Sequence, residues 1–62
     1  MPYYAYVNGE ATVGLETVDQ IKNYVNKKYA DYEEAEVAIY DMEWTREGQK
    51  LMTKYTLKNG EE

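Results

Sequence analysis

The segment EVAIYDMEW, residues 36–44, decides the fold through its alternation. Successive side chains of an extended strand point to opposite faces, so Val37 and Ile39 share one side. A strand with one face in water normally carries polar residues on that face. Here the second side is also largely apolar, since it holds Ala38, Tyr40, Met42 and Trp44. We therefore predict a strand that is buried on one side and presents an apolar surface on the other.

The residues that follow predict a hairpin with a final strand over residues 49–58. A three-residue loop with glycine in the left-handed conformation is a common strand connection, and Gly48 fits that position. This register places Thr45 opposite Gln49, Glu43 opposite Leu51, Ile39 opposite Tyr55 and Val37 opposite Leu57. The side facing a helix would then hold Val37, Ile39, Leu51, Tyr55 and Leu57. The opposite side would hold Ala38, Tyr40, Met42, Trp44 and Met52, bordered by Lys50 and Lys54.

The segment ETVDQIKNYVNKKY, residues 16–29, has the pattern of an amphipathic helix. Thr17 and Gln20 have the spacing of a capping box, in which each side chain bonds the other residue's backbone N–H. An acidic residue in the first turn and two lysines in the last turn suit the helix dipole. The apolar stripe consists of Val18, Ile21, Val25 and Tyr29, with Tyr24 at its margin. We expect the stripe to pack on the strand side that carries Val37 and Ile39.

The amino-terminal segment PYYAYVNGEATV, residues 2–13, reads as two short strands around Asn8-Gly9. Asn-Gly supplies the two positive-φ residues that a type I′ hairpin requires. The resulting register places Val7 opposite Glu10, Tyr6 opposite Ala11 and Tyr4 opposite Val13. The sequence does not decide which face of the first strand is buried.

The element order is therefore ββαββ, or βαββ if the second strand is only a loop edge. Both orders give the α+β class, with a small antiparallel sheet and one helix packed on one face. Sixty-two residues form a single domain, residues 1–62, and we expect residues 58–62 to be frayed.

Composition argues against catalysis and against bound ions. The chain has no cysteine and no histidine, so disulfides and ordinary zinc sites are excluded, and it has no serine. General acid–base and nucleophilic catalysis most often recruit these residue types. The acidic residues from Asp31 to Glu36 do not match the EF-hand spacing and lack its central glycine. We predict a protein that is not an enzyme, with no catalytic residues, no metal site and no cofactor.

No signal-peptide pattern follows Met1, and no apolar run approaches the roughly 18 residues of a membrane span. We therefore expect a soluble cytoplasmic protein that makes no contact with a membrane.

The charge is concentrated in one segment. The net charge is −5, which disfavours direct nucleic-acid binding and favours basic protein surfaces. Between Asp31 and Glu47 there are seven acidic residues and a single arginine. We predict a partner-binding surface made of Tyr40, Met42, Trp44 and Met52, with an acidic rim of Glu36, Glu43 and Glu47. The alternative is local cross-strand packing, with Trp44 over Lys50 and Tyr40 over Lys54.

The stretches YAYVNGE, ETVDQIKNYVNKKY, AEVAIYDMEW and KYTLKNG together resemble small accessory proteins of bacteriophages, among them anti-CRISPR inhibitors. The resemblance covers most of the chain and consists of size, acidity, lack of cysteine and element order. It implies an inhibitor that occupies a basic surface of a nucleic-acid-handling, CRISPR-type host complex, in the host cytoplasm. It transfers no functional residues, because no motif is shared. The alternative is a self-assembling structural protein, or a designed miniprotein, whose open sheet face makes a homodimer.

Overall fold

The computed structural model describes the backbone of residues 2–45 and 48–61 and the side chains of residues 2–41 and 48–61. Its elements are β1 (Tyr3–Val7), β2 (Glu10–Leu15), α1 (Val18–Lys28), β3 (Glu34–Thr45) and β4 (Gly48–Lys58). The strands form one antiparallel sheet in the order β2-β1-β3-β4, with β1 pairing both β2 and β3. The α+β class and the order ββαββ are therefore confirmed.

Helix α1 begins as predicted. The hydroxyl of Thr17 accepts a hydrogen bond from the Gln20 backbone N–H at 3.1 Å, and the Gln20 side-chain oxygen accepts one from the Thr17 backbone N–H at 3.2 Å. The same oxygen also accepts from the Glu16 backbone N–H at 3.1 Å. The capping box therefore satisfies amide groups that the first helical turn leaves without partners.

The core lies between α1 and the sheet. Its buried side chains are Ala5, Val7, Ile21, Val25, Ala35, Val37, Ile39 and Leu57. Five of these were predicted, while Val18 and Tyr55, also predicted, are only partly buried at its edge. The structure answers the open question about β1, because Ala5 and Val7 face the helix and the tyrosines on either side of Ala5 face away.

The amino-terminal hairpin turns at Asn8 and Gly9, whose φ angles of 52° and 84° are those a type I′ turn needs. The pairs nearest the turn match the prediction. A bulge then intervenes, so that Ala5 pairs with Val13, and Tyr4 with Gly14. The predicted pairing of Tyr4 with Val13 is wrong, because the extra residue in β2 turns Val13 to the helix side, where it packs against the core.

The β3–β4 hairpin differs from its predicted register by two residues along most of its length. Val37 pairs with Tyr55, and Ile39 with Thr53. An even displacement keeps every side chain on its predicted face. A bulge after Ile39 breaks this rule, because Tyr40 pairs with Leu51 and Met52 is the extra residue.

Leu51 is the side chain that this bulge moves. It lies beside Tyr40 on the side away from α1 and is 49% exposed. Its predicted place in the floor beneath the helix is therefore wrong. The difference from the predicted register begins at the loop between β3 and β4. There Thr45 pairs with Gly48 instead of Gln49.

A second Asn-Gly turn follows β4. Lys58 and Glu61 exchange both backbone hydrogen bonds, at 2.7 and 3.1 Å, around Asn59 and Gly60 with φ of 53° and 81°. The Asn59 N–H also lies 3.1 Å from the Tyr32 carbonyl oxygen. The turn thus joins the end of β4 to the connection between α1 and β3, and the expected fraying of residues 58–62 stays a prediction.

Candidate interaction surface

The side of the sheet opposite α1 gathers side chains from three strands. Register places Tyr4 opposite Tyr40, Tyr6 opposite Ala38, and Ala38 opposite Lys54. Residues opposite each other in an antiparallel pair share a face. We call this side the open face, and its members are Tyr4, Tyr6, Glu36, Ala38, Tyr40, Leu51 and Lys54.

Three tyrosines at the centre of the open face contact one another, and we call them the tyrosine cluster. Ring centroids are 5.4 Å apart for Tyr4 and Tyr6, 5.8 Å for Tyr4 and Tyr40, and 5.6 Å for Tyr6 and Tyr40. The first pair is tilted, the second stacked and the third edge-to-face. Pairs of this geometry each contribute roughly 0.5–1.5 kcal/mol beyond the area they bury. The cluster is therefore a preformed aromatic platform, with each tyrosine only partly buried.

The polar end of the Tyr4 side chain is shielded from solvent. Its hydroxyl oxygen is buried and has no hydrogen-bond partner among the described residues. Burial raises the pKa of the Tyr4 hydroxyl, and the neighbouring Tyr6 and Tyr40 raise it further. An unpaired buried hydroxyl is destabilising, so the ring contacts hold Tyr4 in place despite its polar atom.

A cavity of about 230 Å³ opens beside Tyr6 and Tyr40. The small side chain of Ala38 lies between Tyr6 and Lys54 across the strands, which leaves this space unfilled. The cavity is lined by Tyr6, Gly9, Glu36, Val37, Ala38, Tyr40 and Lys54. Its lining residues therefore include two tyrosines, one acidic residue and one lysine.

The Asn8 turn fixes the backbone of Glu36 at the rim of the cavity. The Asn8 N–H donates to the Glu36 carbonyl oxygen at 2.9 Å, and the Glu36 N–H donates to Asn8 Oδ1 at 3.0 Å. The turn thereby extends the pairing of β1 with β3 by one residue. The Glu36 side chain therefore extends from a backbone that hydrogen bonds hold in place, although the side chain is exposed to solvent.

The structure describes three of the side chains of the predicted surface, those of Glu36, Tyr40 and Met52. Tyr40 and Glu36 both lie on the open face and line the cavity. Met52 is 40% exposed at the β4 bulge, next to Leu51. The side chains of Met42, Glu43 and Trp44, and the whole of Glu47, lie outside the described residues. The predicted packing of Trp44 over Lys50 lies outside them too, whereas Tyr40 and Lys54 line the same cavity.

Sequence reasoning did not assign Tyr4 and Tyr6 to this surface. Their partners on β3 depend on strand order, and a sequence of this length does not specify which strand lies beside β3. A local signal was present nonetheless. In β1 the tyrosines at positions 4 and 6 alternate with Ala5 and Val7, and the smaller aliphatic pair is the better choice for a dry core.

The helix side carries aromatic contacts of another kind. The Lys22 ammonium lies 5.2 Å from the centre of the Tyr55 ring, and that of Lys28 lies 5.6 Å from Tyr24 and 5.7 Å from Tyr29. Within the described ranges, no group of three acidic side chains is arranged to hold a metal ion. In the same ranges, α1 with its 11 residues is too short to cross a bilayer.

Comparison with known proteins found no match to any family model, to any curated protein or to any solved structure.

Proposed function

We propose that this protein is a non-enzymatic binding domain that places its open face against a basic surface of another protein. The observation that carries the proposal is the tyrosine cluster, which lies on the side of the sheet opposite α1. Tyrosine is enriched at protein interfaces because its ring buries apolar area while its hydroxyl can bond water or a partner. Leu51, 49% exposed, extends the apolar surface beside Tyr40.

Charge supports a basic partner. The chain carries a net charge of −5, and its acidic residues are concentrated in the segment that includes β3. Opposite charge on two surfaces accelerates their encounter and disfavours partners of like charge. Glu36, on the open face, contributes to this field directly.

The resemblance to phage accessory proteins supports a narrower proposal for the partner. A nucleic-acid-handling host complex, of the CRISPR type, offers a basic surface shaped for phosphates. An acidic domain bound there would inhibit the host complex by occupancy, so no catalytic step is required. The lack of histidine, cysteine and serine agrees with this mode of action.

Site-specific cross-linking tests the proposal. A photoreactive phenylalanine analogue replaces Tyr6 on the open face or Asn23, an exposed residue of α1, in otherwise identical proteins. In a bacterial lysate we expect the Tyr6 variant to cross-link a basic, nucleic-acid-handling protein, with a yield that falls as salt rises. The Asn23 variant should not cross-link it. Equal yields from both positions would refute the open face as the binding surface.

A homodimer is the second candidate, and one observation favours it. Glu36 and Lys54 carry opposite charges on the same face, so a twofold axis could place each opposite the other in the partner copy. Sedimentation equilibrium separates the candidates. A dimer that persists in high salt and dissociates in Tyr40→Ala would support self-association and count against a heterologous partner.

A further inference from the structure

We infer that the cavity on the open face receives one arginine side chain of the basic partner. This inference rests on the proposed function and specifies how the partner is recognised. It is carried by the aromatic walls of the cavity and by the two charged side chains at its edge.

The aromatic walls suit a planar cation. Tyr6 and Tyr40 meet at an interplanar angle of 77° with centroids 5.6 Å apart, so their rings form a corner. A guanidinium group can stack on the face of one ring, where the ring quadrupole attracts positive charge. The small side chain of Ala38 leaves a cavity of about 230 Å³ beside the two tyrosines.

Glu36 supplies the matching anion. Glu36 is one of the residues that line the cavity, and its backbone N–H and carbonyl groups both form hydrogen bonds with Asn8. A guanidinium presents a rigid fork of N–H donors whose spacing fits the two oxygens of a carboxylate. Lysine offers a compact, strongly hydrated ammonium that neither stacks nor bonds in this paired way.

The charge of Lys54 gives a prediction that distinguishes an arginine ligand from acidic and apolar ligands. Lys54 lines the same cavity, and its positive charge repels an incoming cation, although the side chain is exposed and can turn toward water. An arginine ligand should therefore bind better when Lys54 is neutral and worse when Glu36 is neutral. An acidic ligand would reverse both signs, and an apolar ligand would respond to neither.

Nuclear magnetic resonance titration with small probes tests the inference. The probes are arginine, lysine and norleucine, each blocked as the N-acetyl methylamide and titrated into ¹⁵N-labelled protein. We expect saturable shifts at Tyr6, Ala38 and Tyr40 with the arginine probe, and weaker binding of the other two. Glu36→Gln should weaken arginine binding by a factor of about 1.4 to 5, the range of an exposed ion pair. Lys54→Met should tighten it about twofold by the same reasoning.

The matched control is Asp19→Asn, which removes the same charge from an exposed position in the first turn of α1. It should leave arginine binding unchanged. Norleucine binding as tight as arginine binding, equal effects of Glu36→Gln and Asp19→Asn, or weaker binding in Lys54→Met would each overturn the inference.

The two proposals fail separately. If the arginine probe does not shift these residues while the Tyr6 position still cross-links a basic protein, the open face binds without an arginine in the cavity. If the probe binds as expected while cross-linking is equal at Tyr6 and Asn23, the cavity accepts arginine but the proposed function is wrong.

Discussion

The two faces of this sheet are built from the same strands but from different residue types. The centre of the face under α1 carries alanine, valine, isoleucine and leucine, which are buried, and Tyr3 and Tyr55 lie partly buried at its edge. The open face carries tyrosines that are partly buried, together with Glu36 and Lys54. Aliphatic side chains contain no polar atom that must be satisfied in a dry core, whereas tyrosine tolerates contact with both protein and water. This difference underlies our proposal, in which the first face provides stability and the second face provides recognition.

We call the side of the sheet under α1 the covered face. Replacement of Ile39 by alanine on this face should give the largest loss of stability. Ile39 is completely buried, so the loss of its side chain leaves a cavity and should cost about 2–5 kcal/mol of unfolding free energy. Ile39→Val, the matched control, should cost only about 0.5–1.5 kcal/mol. Urea denaturation measures both. A loss below 1 kcal/mol in Ile39→Ala would show that this face is not the core.

We expect the carboxy-terminal turn to pack against the end of the helix and to contribute to stability. Alanine substitutions at two glycines test this expectation. Gly9 and Gly60 have nearly equal φ angles, 84° and 81°, so alanine at either position is strained by about 1–2 kcal/mol. A Cβ at Gly60 would lie only 2.8 Å from the Ala30 Cα, whereas one at Gly9 would meet nothing within 4 Å. Gly60→Ala should therefore lower the urea midpoint more than Gly9→Ala. Equal midpoints would show that the turn does not pack on the end of the helix.

Thr17→Ala should weaken the helix that covers the sheet. Loss of an N-cap side chain typically costs about 1 kcal/mol, and here it also removes half of the capping box. The measurement is again the unfolding free energy in urea. Thr56→Ala, at an exposed position of β4, is the control and should change stability less. Equal losses in the two variants would contradict the role of Thr17 as the cap.

Tyr4→Phe should have the smallest effect and the opposite sign. It removes a buried hydroxyl that has no partner among the described residues, so the urea midpoint should rise slightly at neutral pH. Tyr32→Phe, where the side chain is 48% exposed, should leave it unchanged. A lower midpoint in Tyr4→Phe would show that the hydroxyl is bonded in solution.

The same variant has a pH signature. The pKa of Tyr4 is raised in the folded protein, so below the unfolded value of about 10 the hydroxyl is protonated in both states and adds no pH dependence. Above pH 10 the unfolded chain releases the proton more readily, and stability falls until the pH passes the folded pKa. Tyr4→Phe should therefore lose less stability than the wild type as the pH is raised above about 10.

Local chemistry made much of the fold predictable. The capping residues Thr17 and Gln20 mark the start of α1, and Asn8-Gly9 marks the first hairpin, because each depends on neighbours within a few residues. The two bulges were not predictable in the same way. A bulge at Thr12 or Met52 changes register by one residue, and its cost is balanced against packing of the whole sheet. Leu51 was misplaced because the register differs from the prediction by an odd number of residues between the loop and the bulge at Met52.

The proposed interaction surface was predictable only where it lies on β3. Tyr40 and Glu36 follow from the alternation of that strand, which places Val37 and Ile39 on the opposite side. Tyr4 and Tyr6 join them only because β1 pairs with β3. Such pairing between strands distant in sequence depends on closing a long loop, which no local pattern encodes.

The separation of the two faces is tested most directly by substituting two neighbouring residues of β3, one on each face. The affinity of each variant is measured for the basic protein that we expect to cross-link at the Tyr6 position. Tyr40→Ala should weaken binding by about 2 kcal/mol, or roughly thirtyfold, as loss of an aromatic hot spot does. Ile39→Val, its neighbour on the covered face, should bind like the wild type. Titration calorimetry under conditions where both variants are folded gives the two dissociation constants. Equal affinity of Tyr40→Ala and the wild type would contradict the assignment of recognition to the open face.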